Sequence, residues 1–110
     1  MRNENEEILL KFDGRVTYES IKEMKFLDMV FNETLRKYPI ADTQFRKSSK
    51  EFTIPNSNLV IPKDTTIMIS SQALHHDERF YENPNKFDPG RFNVENVKTR
   101  HPFAYIPFSE

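Results

Sequence analysis

The 110-residue sequence has no cysteine, no tryptophan, only two glycines and no excess charge of either sign. Without cysteine the chain can form neither a disulfide nor a thiolate metal site, although that absence leaves the redox compartment open. Seventeen acidic residues against sixteen basic ones provide no positive footprint, which disfavours a nucleic-acid partner or an anionic membrane surface. Long hydrophobic runs are missing too. The start, Met1 to Glu7, is polar and acidic, with neither the apolar stretch of a signal peptide nor that of a membrane span. A chain of this length suits one modest domain with a limited core rather than a large enzyme.

What is present patterns as α+β. Residues 4–11 end in the apolar trio Ile8-Leu9-Leu10, and Asp13-Gly14 is a turn signal, so a short helix is expected to stop there. Thr17 followed by Glu19 predicts a second short helix ending near Met24, because the threonine oxygen caps free amides and the carboxylate suits the positive end. From Lys25 to Lys37 the spacing of Leu27, Val30, Phe31, Thr34, Leu35 and Tyr38 predicts an amphipathic helix closed by Pro39. After Asp42 the β-branched stretches 51–54, 59–61 and 65–69, separated by proline and asparagine turns, predict a small antiparallel sheet. Ser70 or Ser71 caps a short helix through His75, and Tyr81 to Pro102 shows neither periodicity. An irregular stretch that long in a compact domain is functional or held by partners.

Glu33 and Arg36 are three residues apart and so neighbours on a helix surface, where an ion pair contributes little. Phe26 and Met29 share their face, however, so the helix is apolar on two sides and the pair is expected to be buried. His75, His76, Asp77 and Glu78 do not read as a metal site, because adjacent helical residues point about 100° apart. The face carrying Leu27, Phe31 and Leu35 reads as core rather than as a groove for a partner helix.

Leu27 to Pro39, with Glu33-Thr34-Leu35-Arg36 inside it, resembles the K helix of cytochromes P450, whose signature is Glu-x-x-Arg. Ala73 to Asp77, Phe80 to Phe92 and Phe103 to Phe108 resemble later segments of the same family in the same order, so the resemblance spans nearly the whole chain. It implies an enzyme that is mainly α in full. Residues 1–110 would be part of its domain: the end of the J helix region, the K helix, a β segment, the aromatic meander and the start of the heme loop. It also implies that Glu33, Arg36 and Arg91 form a structural triad in which a planar guanidinium grips a carboxylate. Gly90 departs from the family pattern, which usually has glutamate there. By resemblance Arg46 binds a heme propionate and Phe108 lies against the heme. Thr43 or Phe45, at a turn from Ala41 to Phe45, faces substrate, and His75 is a structural hydrogen-bonding residue in a Leu-His-x-Asp run.

The resemblance places no catalytic residue and no metal ligand in this stretch. Pro107-Phe108-Ser109-Glu110 enters the heme loop, and the axial cysteine is expected about five residues past Glu110. The implied activity is that of a microsomal, insect-type heme-thiolate monooxygenase. Such an enzyme inserts one atom of O2 into a small lipophilic substrate, with electrons from NAD(P)H delivered by a reductase at the endoplasmic reticulum membrane. No anchor lies within this stretch. The competing reading is a free-standing α+β interaction domain without enzymatic activity.

Overall fold

The computed structural model describes residues 2–108; Ser109 and Glu110, the end of the segment expected to enter the heme loop, lie outside the described residues. Helix α1, Arg2–Lys11, unwinds where the amides of Phe12 and Gly14 both donate to the Leu9 carbonyl. Asp13 and Gly14 follow with φ of 53° and 74°, a left-handed turn that glycine enters without steric cost. Helix α2, Tyr18–Glu23, starts in a reciprocal cap. Thr17 Oγ1 accepts from the Ser20 amide at 3.1 Å while Ser20 Oγ accepts from the Thr17 amide at 2.8 Å, which satisfies two amides that the first turn leaves free.

Helix α3, Lys25–Lys37, begins one residue later and ends before Pro39. Its burial differs from the apolar stripe expected of it. Leu35 is buried and Leu27 and Val30 are half-buried, but Phe31 and Tyr38 are 55% and 65% exposed, whereas Glu33 and Arg36 are fully enclosed. The polar side of the helix faces inward because it has hydrogen-bond partners there, and much of the apolar stripe has nothing against it.

The sheet also departs from expectation. Instead of one sheet built from residues 51–69 there are two antiparallel pairs. Strand β1, Thr43–Lys47, was expected to begin as a turn; it pairs with β4, Thr66–Ser70, in the register Thr43↔Ser70 through Lys47↔Thr66. Strands β2, Phe52–Thr53, and β3, Val60–Ile61, form a separate hairpin inserted between them. Positive φ at Asn56 (59°) turns the hairpin and at Asp64 (65°) leads into β4, a conformation that asparagine and aspartate tolerate better than most residues. The hydroxyl of Ser48 joins the ends of β1 and β4, donating to the Pro62 carbonyl at 2.7 Å and accepting from the Thr65 amide at 2.9 Å.

Of the two candidate caps for the next helix, α4 (Ser71–His75), Ser70 is the one that acts: its Oγ accepts from the Ala73 amide at 3.1 Å. The stretch expected to be irregular contains a 3-10 turn at Pro89–Phe92 and helix α5 at Val94–Thr99 capped by Asn93, and a second 3-10 turn, Pro102–Ala104, starts at its end. These elements are too short to leave a clear period in the sequence. Among the described residues no helix is long and apolar enough to cross a membrane. The radius of gyration is 18.4 Å and the principal extents are 58 × 29 × 22 Å, against about 13 Å for a compact domain of this length.

Candidate functional site

The most enclosed part of the molecule is charged. Glu33 and Arg36 have no solvent exposure. Their one-turn spacing on α3 lets the guanidinium fork meet the carboxylate, with Arg36 Nε donating to Glu33 Oε2 at 2.7 Å and Nη2 donating to Oε1 at 2.8 Å. Two charges out of water persist only if their remaining hydrogen-bonding capacity is used. Here Arg36 Nη1 donates to the His75 carbonyl at 2.8 Å and Nη2 to the Pro84 carbonyl at 2.9 Å, while Glu33 Oε1 accepts the Asp88 amide at 2.8 Å. One side-chain pair thus joins α3 to the end of α4 and to the loop at 84–88. That loop has no ladder of its own, so its backbone groups need such partners.

Arg91 reaches the same carboxylate differently. Its Nε stands 3.6 Å from Glu33 Oε1 without a hydrogen bond, and its Nη2 donates to the Asn83 carbonyl at 3.0 Å. The three residues of the expected triad therefore converge, but the two-pronged grip belongs to Arg36 and not to Arg91. Arg36 also lies 5.1 Å from the centre of the Tyr81 ring, and Arg100 lies 4.6 Å from it and 4.8 Å from that of Phe92. Arg100 donates to the Arg91 carbonyl as well.

A second polar cluster holds the segment Ala104–Ile106. Tyr81, 1% exposed, donates its hydroxyl to the Ala104 carbonyl at 2.9 Å, and burial raises its pKa so that it stays a donor. The Tyr105 hydroxyl donates to Asn32 on α3 at 2.9 Å, and its pKa is likewise raised by burial. The Ile106 amide donates to His75 Nε2 at 3.0 Å, and the Ile106 carbonyl accepts from Gln44 Nε2 at 3.0 Å. Gln44 also donates to Ser71 Oγ at 3.1 Å. Burial lowers the His75 pKa from 6.5 to about 4; the Arg36 backbone opposes that shift and the Arg36 charge adds to it.

None of the partners Gln44, Tyr81, Arg100 and Tyr105 was singled out from sequence. Polar residues in strands and aromatics in an aperiodic stretch carry no spacing signal. An aromatic with a polar tip in such a stretch is the one hint available, since buried tyrosine needs a partner for its hydroxyl.

Thr43, Phe45 and Arg46, also singled out from sequence, lie on β1, where side chains alternate between faces. Gln44 and Arg46 share one face, and Thr43 and Phe45 the other. Arg46 Nη1 donates to the Phe45 carbonyl at 3.0 Å. Phe45 is 62% exposed and lies opposite Met68, which is 68% exposed, so the two form an apolar pair that sequence spacing did not reveal. Phe108 is exposed. In the His75–Glu78 run, His76 Nδ1 lies 3.0 Å from the Gln72 carbonyl, and Arg79 engages Asp77 at 2.5 Å. That hydrogen bond holds the Asp77 carboxyl at about 2. Among the described residues no group of three or more histidine, aspartate or glutamate side chains is placed to hold a metal ion.

A buried Glu-x-x-Arg fork thus fastens an irregular aromatic loop to a helix. The family profile described as Cytochrome P450 matches residues 1–110, and the chain belongs to that family. Among its relatives, the probable cytochrome P450 6a13 of Drosophila melanogaster is 50% identical over 94% of this chain and 21% of that protein. Cytochrome P450 6B1 of Papilio polyxenes is 49% identical over 96% of this chain and 21% of that protein, and cytochrome P450 6B7 of Helicoverpa armigera is 47% identical over the same shares. The chain spans about a fifth of the length of these relatives.

Proposed function

We propose that this chain forms the scaffold and part of the heme and substrate surroundings of a longer heme-thiolate monooxygenase, with residues 1–110 as a partial domain. The observation that carries the reading is the family match along the whole chain together with the fully enclosed Glu33–Arg36 fork. In this role Glu33 and Arg36, with Arg91 as a looser third member, hold the 83–92 loop against α3.

The residues present suit heme. Arg46 shares a face of β1 with Gln44, and Gln44 holds Ile106, so the guanidinium lies on the strand face that meets the segment leading to Phe108. Arg46 would donate charge-assisted hydrogen bonds to a propionate, and Phe108 would offer an apolar contact. Heme with a cysteine thiolate supplies the electron density that favours O–O cleavage. The thiolate is not among the residues of this sequence. Thr43 and Phe45, with Met68 opposite, would form an apolar surface toward a small lipophilic substrate. Electrons would come from NADPH through a reductase partner, and the full protein would reside at the endoplasmic reticulum membrane.

The test is a carbon monoxide difference spectrum. The full-length protein should show the thiolate-type band, and the 110-residue chain mixed with hemin and dithionite should not. Absence of the band in the full-length protein would remove the enzyme reading and favour an interaction domain.

A further inference from the structure

The segment Ala104–Ile106 is gripped at four polar points by four different parts of the chain: Tyr81, Asn32 of α3, His75 of α4 and Gln44 of β1. Ile106 is the focus, because both its amide and its carbonyl are taken up by buried side chains. Such a double grip fixes the two peptide units that meet at Ile106 and directs the chain that leaves it.

The two sides of the grip differ in kind. Gln44 donates whatever the pH. His75 accepts, and an imidazole nitrogen accepts only while neutral. With Nε2 as acceptor the ring proton sits on Nδ1, which makes no full hydrogen bond but interacts with the Arg36 backbone, an interaction that favours the protonated ring and only partly offsets burial. Protonation would point an N–H of the ring at the N–H of Ile106, so the bond must break.

We infer that His75 and Gln44 form a proton-releasable clamp on Ile106 that positions the 106–108 segment and, on the reading proposed above, the heme loop that this segment enters. His75 is here a positioning residue. The charges around it oppose its protonation, Arg36 from α3, itself paired with Glu33, His76 just past α4 and Arg100 from the turn after α5, whereas the Arg36 backbone favours it; the Tyr105 ring packs 5.4 Å away. The clamp is therefore closed at neutral pH and opens in acid as pH falls through about 4.

Two measurements on the full-length protein test this. The first is hydrogen exchange at the Ile106 amide, corrected for intrinsic rates and needing no heme. Protection should be high at neutral pH and fall by at least about tenfold as pH drops through about 4, the equivalent of one lost hydrogen bond. The second is the rate of heme loss to a scavenger protein. His75→Phe keeps a ring but no acceptor and should lose heme about tenfold faster at neutral pH. His75→Gln offers an amide oxygen as acceptor, so it should restore retention and remove the acid dependence.

Unprotected Ile106 at neutral pH, or acid-triggered heme loss unchanged in His75→Gln, would overturn the clamp. If His75→Phe fails to fold, wild-type exchange and His75→Gln still decide. A full-length protein lacking the thiolate-type band would sink the proposed function, while amide exchange at Ile106 would still judge the clamp.

Discussion

At the scale of single residues, the arrangement of hydrogen bonds ranks the charged groups. Arg36 carries both prongs on Glu33 and donates to two loop carbonyls, so Arg36→Lys leaves a buried carboxylate and two acceptors underused. We expect a loss of about 3–5 kcal/mol in denaturant unfolding of the full-length protein. Arg91→Lys loses one 3.6 Å ion pair and one hydrogen bond and should cost only about 1–2 kcal/mol. Equal losses from the two variants would contradict the assignment of the grip to Arg36. His75 adds a pH dependence. Its folded pKa is below its unfolded value of 6.5, so above 6.5 both states are neutral and stability is at its plateau. As pH falls from 6.5 to about 4 the unfolded chain takes up the proton first and stability declines, by on the order of 1–3 kcal/mol. Chemical melts at successive pH values should show this decline in the wild type and a smaller one in His75→Gln.

At the scale of elements, short helices depend on their caps. Helix α4 spans only Ser71–His75, too few residues to stand by propensity, and it carries both His75 and the Ser71 hydroxyl that meets Gln44. Ser70→Ala removes the acceptor for the Ala73 amide and should cost about 1 kcal/mol, whereas Ser70→Asp should retain the cap. The cost in Ser70→Ala should come with weaker protection of the Ile106 amide, since α4 holds its acceptor; unchanged protection would separate the cap from the cluster. Strand β1 teaches a related lesson. Thr43-Gln44-Phe45-Arg46-Lys47 alternates in burial only because one face meets Ile106 and Ser71. Its polar content hid that alternation in the sequence.

At the scale of the whole molecule, apolar surface is abundant and poorly covered. Phe31, Tyr38, Phe45, Met68, Phe103 and Phe108 are each more than half exposed, and among the described residues the buried hydrophobic side chains are Ile8, Met24, Leu35, Tyr81 and Ala104. With a radius of gyration of 18.4 Å, the described residues enclose little of the core that makes unfolding cooperative. The purified 110-residue chain should therefore melt broadly or show no transition, and bind dyes that report exposed apolar surface. A sharp two-state melt from a monomer would count against the scaffold reading and for a self-sufficient interaction domain.

The sequence by itself determined the local elements whose causes are local. The Asp13-Gly14 stop, the Thr17 cap, the span of α3 and its end before Pro39 follow from backbone freedom, side-chain caps and helical spacing, all within a few residues. It also carried the family resemblance, through blocks of residues in a fixed order. Only the tertiary structure decided that β1 exists and pairs with β4 across the inserted hairpin, because strand pairing here depends on partners that run from Thr43↔Ser70 to Lys47↔Thr66, far outside any local window. Only it decided that the fork of Glu33 belongs to Arg36, and that Gln44, His75, Tyr81 and Tyr105 converge on residues 104–106 and Asn32. The bonds that converge on residues 104–106 join positions 23 to 73 apart, and a hydrogen bond of that reach leaves no periodic trace in the chain. The inward polar face of α3 has the same origin: periodicity marks which residues are apolar, but burial goes to the side that finds partners.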